Sequence, residues 1–154
     1  KKYLPQFQHA QLEQTASVIG VRETRRIMGL YEITLDDMFA GRRFEDGFCT
    51  CCFGVDIHQP DGRGQEDGRA YMIKPYQIPY RSLVPQKVKN LLVAGRCISG
   101  SFEAHASYRV TGDCVAMGQA AGTAAVLCLE RSISPDALDG KLVVKKMVAD
   151  GARC

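Results

Sequence analysis

No apolar run in this 154-residue chain is long enough to cross a bilayer. The best candidate, residues 114–129, falls short of a span and is broken by Gln119 and Thr123. The seven cysteines include no pair of CxxC motifs, so the sequence carries no zinc or iron–sulfur pattern and no metal site is expected. Cys49, Cys51 and Cys52 fall in a β-like run whose neighbours point to opposite faces. Reduced, mostly buried thiols in a cytoplasmic protein are the expectation, with Cys97 and Cys114 the two placed for redox chemistry. There is no lysine-rich tract and no known nucleic-acid motif, and the net charge is only +3. Neither a nucleic acid nor a membrane is therefore expected as partner. The chain also opens without Met and without a targeting segment. Its first residues, KKYLPQFQHAQLEQTA, read as the middle of a helix, as in a C-terminal fragment of a larger polypeptide.

What is present, 45% hydrophobic and 24% charged residues, suits a globular protein. The most informative stretch is residues 90–125, NLLVAGRCISGSFEAHASYRVTGDCVAMGQAAGTAA. A short apolar run over residues 91–94 predicts a buried strand that stops at Gly95, where the missing Cβ lets backbone approach a ligand. A polar loop follows, gathering the imidazole of His105 and the guanidinium groups of Arg96 and Arg109. Thr111 or Gly112 then opens a helix whose first N–H groups and positive dipole end suit an anionic or electron-rich group. Gly118 and Gly122 leave that helix with little bulk and predict tight packing against a neighbour. Strand, polar loop and close-packing helix together make a cofactor or substrate site.

Elsewhere the pattern is ordinary. Residues 1–16 read as helical and residues 17–28 as a strand. Thr34 with Asp37 predicts a capped short helix that Gly41 ends. Residues 44–58 are strand-like, residues 60–68 (PDGRGQEDG) form a surface turn, and residues 69–83 return as two short strands divided by Pro75 and Pro79. Ser134, Pro135 and Asp139 start a terminal helix in which Leu142, Val143, Met147 and Val148 share the buried spacing and Gly151 marks the end. Of the clustered arginines, Arg22, Arg25, Arg26, Arg42, Arg43, Arg81, Arg96 and Arg109, about half are expected in salt bridges to Glu23, Glu32, Asp36, Asp37 and Glu45. Others are expected to line a cleft for an anionic group.

Five segments resemble one known family. YQIPYRSLVP (residues 76–85), VKNLLVAGRCIS (88–99) and YRVTGDCVAMGQAAGTAA (108–125) are similar to the C-terminal half of FAD-dependent oxidoreductases, as are GVRETRRIMGLYEIT (20–34) and FGVDIH (53–58). The resemblance implies a glutathione-reductase-like flavoprotein with a discontinuous dinucleotide-binding domain, interrupted by a substrate domain. One departure matters. No GxGxxG follows a strand, and the nearest candidates, at Gly62 and Gly41, lack the strand and helix that the motif needs.

The expected fold is therefore α/β, built as an α+β fragment. Residues 1–86 would belong to an inserted, mostly antiparallel substrate domain, and residues 87–154 to the returning C-terminal segment of the FAD-binding domain. The resemblance implies FAD as cofactor, held by Gly95, Arg96, Val110, Thr111, Gly112 and Asp113. A small-molecule substrate would exchange a hydride or electron pair with the flavin, with His105 as acid/base and Arg109 as anion clamp. A redox partner or a homo-oligomer is compatible with this reading. The alternatives are a non-catalytic interaction domain derived from a flavoprotein and, further off, a nucleic-acid-binding domain.

Overall fold

The computed structural model describes residues 3–23, 25–57 and 73–154. Local chemistry accounts for its first helix. Thr34 Oγ1 accepts from the Asp37 N–H and Asp37 Oδ2 accepts from the Thr34 N–H at 2.9 Å, the reciprocal box that starts α1 (Leu35–Ala40). Gly41, at φ 64°, closes it in the left-handed conformation that glycine adopts without strain. Asp37 is buried, yet it is fully engaged: Tyr31 donates to it at 2.9 Å and Arg42 pairs with it at 3.0 Å.

Two strands follow, β1 (Gly47–Cys51) and β2 (Tyr76–Pro79), paired antiparallel with Cys49 opposite Ile78 and Cys51 opposite Tyr76. A bulge at Phe48 shifts the register between Gly47 and Cys49. Beyond Pro79 the chain tightens into a 3₁₀ turn, Tyr80–Leu83, where Arg81 donates through Nε and Nη2 to both carboxylate oxygens of Asp46 at 2.9 and 3.1 Å.

The C-terminal half is helical. α2 (Phe102–Tyr108) is capped by Ser101, and only two residues separate it from the 21-residue α3 (Thr111–Arg131). α3 packs on α4 (Gly140–Ala149) and on β1, burying Met117, Ala120, Ala124, Leu127 and Cys128. Small side chains on that face let the helix lie close to its neighbours. Asp139 Oδ1 accepts from the Lys141 N–H at 3.0 Å to start α4, whose Val143 and Met147 complete the core with Tyr76, Ile78 and Tyr80. The segments before and after residue 86 thus share one hydrophobic core.

Several expectations need correction. Residues 3–16 hold only a 3₁₀ turn at Pro5–Phe7, since Leu4, Phe7 and Leu12 find no apolar surface and a helix this short needs one. Residues 17–28 form no strand: Val18, Ile19 and Val21 are exposed and the segment has no ladder partner among the described residues. Residues 91–94 form no strand; the Val93 N–H donates to the Leu83 carbonyl at 3.0 Å. Among the described residues of the two strands expected over residues 69–83, only β2 and the turn after it are formed, residues 69–72 lying outside the described residues, and the described part of residues 44–58 holds β1. Among the described residues the antiparallel sheet is this pair. The turn at residues 60–68, with Gly62, and His58 lie outside the described residues.

The face of α3 that carries Gly118 and Gly122 is open. A Cβ at either position would meet nothing within 4 Å, so the tight packing expected of these glycines is absent here. Of the seven free thiols only Cys51 and Cys128 are buried, fewer than anticipated. The expectation that no apolar run is long enough to cross a bilayer is also corrected: by length and composition α3 qualifies, and its Met117–Cys128 side packs on α4 and β1.

Candidate functional site

The site is assembled where the turn at Gly95 meets the start of α3. Gly95 takes φ 86°, and a Cβ there would stand 3.9 Å from Cys114 Sγ in the first turn of α3. Residues 91–94 therefore deliver their glycine to the helix N-terminus, as the sequence pattern implied. Val110 caps α3 through its extended backbone but offers no side-chain acceptor, so the first-turn N–H groups lack a side-chain cap. Thr111 and Gly112 are exposed, and nothing lies within 4 Å of a Cβ at Gly112. The result is an accessible, electropositive helix end beside a backbone turn.

Asp113, the third residue of α3, faces the other way. Its Oδ1 is 3.9 Å from Cys49 Sγ on β1, and its Oδ2 is buried without a hydrogen-bond partner. Burial raises its pKa above the usual carboxylate value, only partly opposed by hydrogen bonds from Cys51 and Cys49. The two thiols respond in kind. Burial and the Asp113 charge push Cys49 up to about 12, and burial with the Asp113 hydrogen bond pushes Cys51 up to about 11, so both are unreactive thiols at neutral pH. Cys114 is raised as well, chiefly by burial, which leaves exposed Cys97 as the accessible thiol beside the site.

The segment read as a polar loop contains α2, and that changes the setting of His105. Ser101 Oγ accepts from the Ala104 N–H at 3.2 Å, and the helix holds His105 at 1% exposure, edge-on to Tyr108 with ring centroids 5.7 Å apart. Its pKa is lowered: burial dominates, the Arg26, Arg109 and Arg96 charges act in the same direction, and Glu23 opposes them. His105 is thus neutral at physiological pH.

Arg109 is already engaged. Its Nη2 donates to the Asp56 carbonyl at 2.7 Å and lies 3.5 Å from the Asp56 carboxylate. Arg96, by contrast, is exposed and has no hydrogen bond or ion pair among the described residues. The structure thus places Gly95 and Arg96 beside the start of α3, with Val110, Thr111 and Gly112, buries His105 in α2, and turns Asp113 and Arg109 toward the β1 side and Asp56.

The family model described as FAD dependent oxidoreductase matches residues 1–147. The chain belongs to this family. Its cofactor is FAD, and the open helix end at Thr111 and Gly112 fits an electron-rich edge of that group. No curated protein and no solved structure gives a significant match to this oxidoreductase.

Glu23 was missed as a site residue by sequence reasoning, which treated it only as one of five salt-bridge acids. The available signal was a single carboxylate set among three arginines in the VRETRR run.

Proposed function

We propose that this chain completes the flavin site of an oxidoreductase that moves a hydride or an electron pair between FAD and a small-molecule substrate. The observation that carries this reading is the Gly95 turn packed beside the uncapped, open first turn of α3. FAD supplies reversible uptake of an electron pair. This chain would supply part of its surroundings.

Backbone N–H groups of Thr111 and Gly112, together with the positive end of α3, would face the electron-rich edge of the ring and stabilise negative charge developing there. Gly95 and Gly112 keep Cβ atoms out of that approach. Arg96, exposed and without a hydrogen bond or ion pair among the described residues, would meet an anionic group on cofactor or substrate. Arg109 could act as the clamp only by exchanging its Asp56 contacts for the substrate's. His105, neutral and shielded from water, is the proposed acid/base, able to take up a proton as charge changes at the site.

In this reading residues 1–86 derive from the substrate domain and residues 87–154 from the returning part of the FAD-binding domain. A dinucleotide-binding half with its own GxGxxG would pack on the open Gly118 and Gly122 face of α3. Seven free thiols support a reducing compartment, and the proposed location is the cytoplasm.

The visible spectrum of the purified full-length protein tests the assignment. Stoichiometric flavin absorbance that bleaches on anaerobic reduction is expected, and a colourless full-length protein that cannot be reconstituted with FAD would overturn it. The 154-residue chain alone should be colourless, because the pyrophosphate anchor is not part of it.

A further inference from the structure

The Nδ1 atom of His105 is buried and makes no hydrogen bond, and the acceptor facing it is Glu23 Oε2 at 3.4 Å. The other oxygen of the same carboxylate, Oε1, is held by Arg26 Nη1, and Arg26 Nε donates to the Gly100 carbonyl at 2.9 Å. Gly100 immediately precedes the Ser101 cap of α2, so the helix start fixes the arginine, the arginine fixes the carboxylate, and the carboxylate faces the imidazole. A carboxylate that only stapled the N-terminal segment to α2 would need one oxygen. This one directs its second at a buried ring nitrogen.

We propose that Glu23 is the positioning residue of His105, its Oε2 holding the ring in the tautomer that carries hydrogen on Nδ1 and leaves the lone pair on Nε2. The proposal rests on His105 being the acid/base of the flavin site. Distances of this kind are long in the absence of substrate and tighten when the site closes. Second partners of this type fix tautomer and orientation wherever an imidazole has to act in one direction.

The charges around the ring make the effect measurable. Glu23 and Arg26 face it from the extended N-terminal segment, Arg109 from the end of α2 and Arg96 from the Gly95 turn, while Tyr108 packs its edge. Three cations and burial oppose protonation, and Glu23 favours it. Glu23→Gln and Arg26→Met both break the same ion pair. Their effects on His105 should nevertheless have opposite signs, because one removes an anion facing the ring and the other removes a cation.

The test is a ¹⁵N NMR titration of the imidazoles in the full-length protein, with His105 assigned by its loss in His105→Gln. In the wild type the neutral ring should show a protonated Nδ1 and an unprotonated Nε2. Glu23→Gln should move the His105 titration to lower pH and Arg26→Met to higher pH, and the acid limb of kcat against pH should follow each. The reverse tautomer would overturn the proposal even if neither variant folds. Shifts of the same sign, or none, would reduce Glu23 to a structural tie. The titration does not depend on flavin, so a failure here is separate from a failure of the flavin assignment, which the visible spectrum reads.

Discussion

Gly100→Ala is the single-atom change with the largest consequence for the site. A Cβ at residue 100 would stand 2.6 Å from Tyr108 Cε1 and 2.8 Å from its hydroxyl oxygen, and ordinary contact begins at 3.4 Å. The ring must therefore retreat by roughly 0.8 Å, and it has nowhere to go: Tyr108 is fully buried and its hydroxyl donates to the Ile98 carbonyl at 3.2 Å. Overpacking of this kind costs about 1–3 kcal/mol. Losing the tyrosine hydrogen bond adds about 1 kcal/mol. A total of about 2–4 kcal/mol corresponds to a fall in Tm of between about 4 and 16 °C for a domain of this size. Because Tyr108 packs edge-on against His105, the same substitution should also shift the His105 resonances. Differential scanning calorimetry gives the first quantity and the imidazole spectrum the second. Gly118→Ala is the control: it lies in the interior of α3 with open space around it, and should stabilise by about 0.5–1 kcal/mol. Wild-type stability for Gly100→Ala, or an equal loss for Gly118→Ala, would refute the packing argument.

Asp113→Asn should raise Tm at pH 7, because burial raises the Asp113 pKa and an uncharged amide avoids burying that charge; the gain should vanish below pH 4, where the wild-type carboxyl is itself protonated, and a lower Tm at pH 7 would show that the helix-end charge outweighs burial. His105, with its folded pKa lowered, takes up a proton more readily in the unfolded chain. Stability should therefore fall as pH drops from about 6.5 toward the folded value, and His105→Gln should remove that slope in denaturant titrations across pH. Gly118→Leu should leave flavin occupancy of the full-length protein unchanged only if the open face of α3 stays open there; under the proposed function it lowers flavin content, read as the ratio of visible to protein absorbance.

The sequence was most legible where a feature is local. Thr34, Asp37 and Gly41 specify α1 because a capping box and a left-handed closing glycine need no distant partner. Asp139 starts α4 for the same reason. It was least legible where a segment depends on a surface that sequence does not reveal. Residues 17–28 alternate well enough for a strand, but a strand requires a ladder. Here the neighbours are Cys97, whose carbonyl accepts from the Ile27 N–H, and Gln86, whose N–H donates to the Met28 carbonyl. The helix around His105 was hidden by composition: FEAHASY carries no apolar periodicity across its seven residues, and its start is set by Ser101 alone.

The candidate site divides along the same line. Gly95 and the start of α3 could be read from sequence because glycine placement and helix onset are backbone properties. The side-chain roles could not. Arg109 and Asp113 sit at the expected positions, but their groups are directed to Asp56 and to Cys49 and Cys51, partners 53 and 64 residues away for the two that make direct bonds. What an arginine does is decided by which carboxylate the fold brings to it, and spacing along the chain carries no record of that. Among the described residues no such partner meets the exposed Arg96, and under the proposed function it is therefore the cation placed to meet a ligand, although the flanking pattern alone made Arg109 the more prominent of the two.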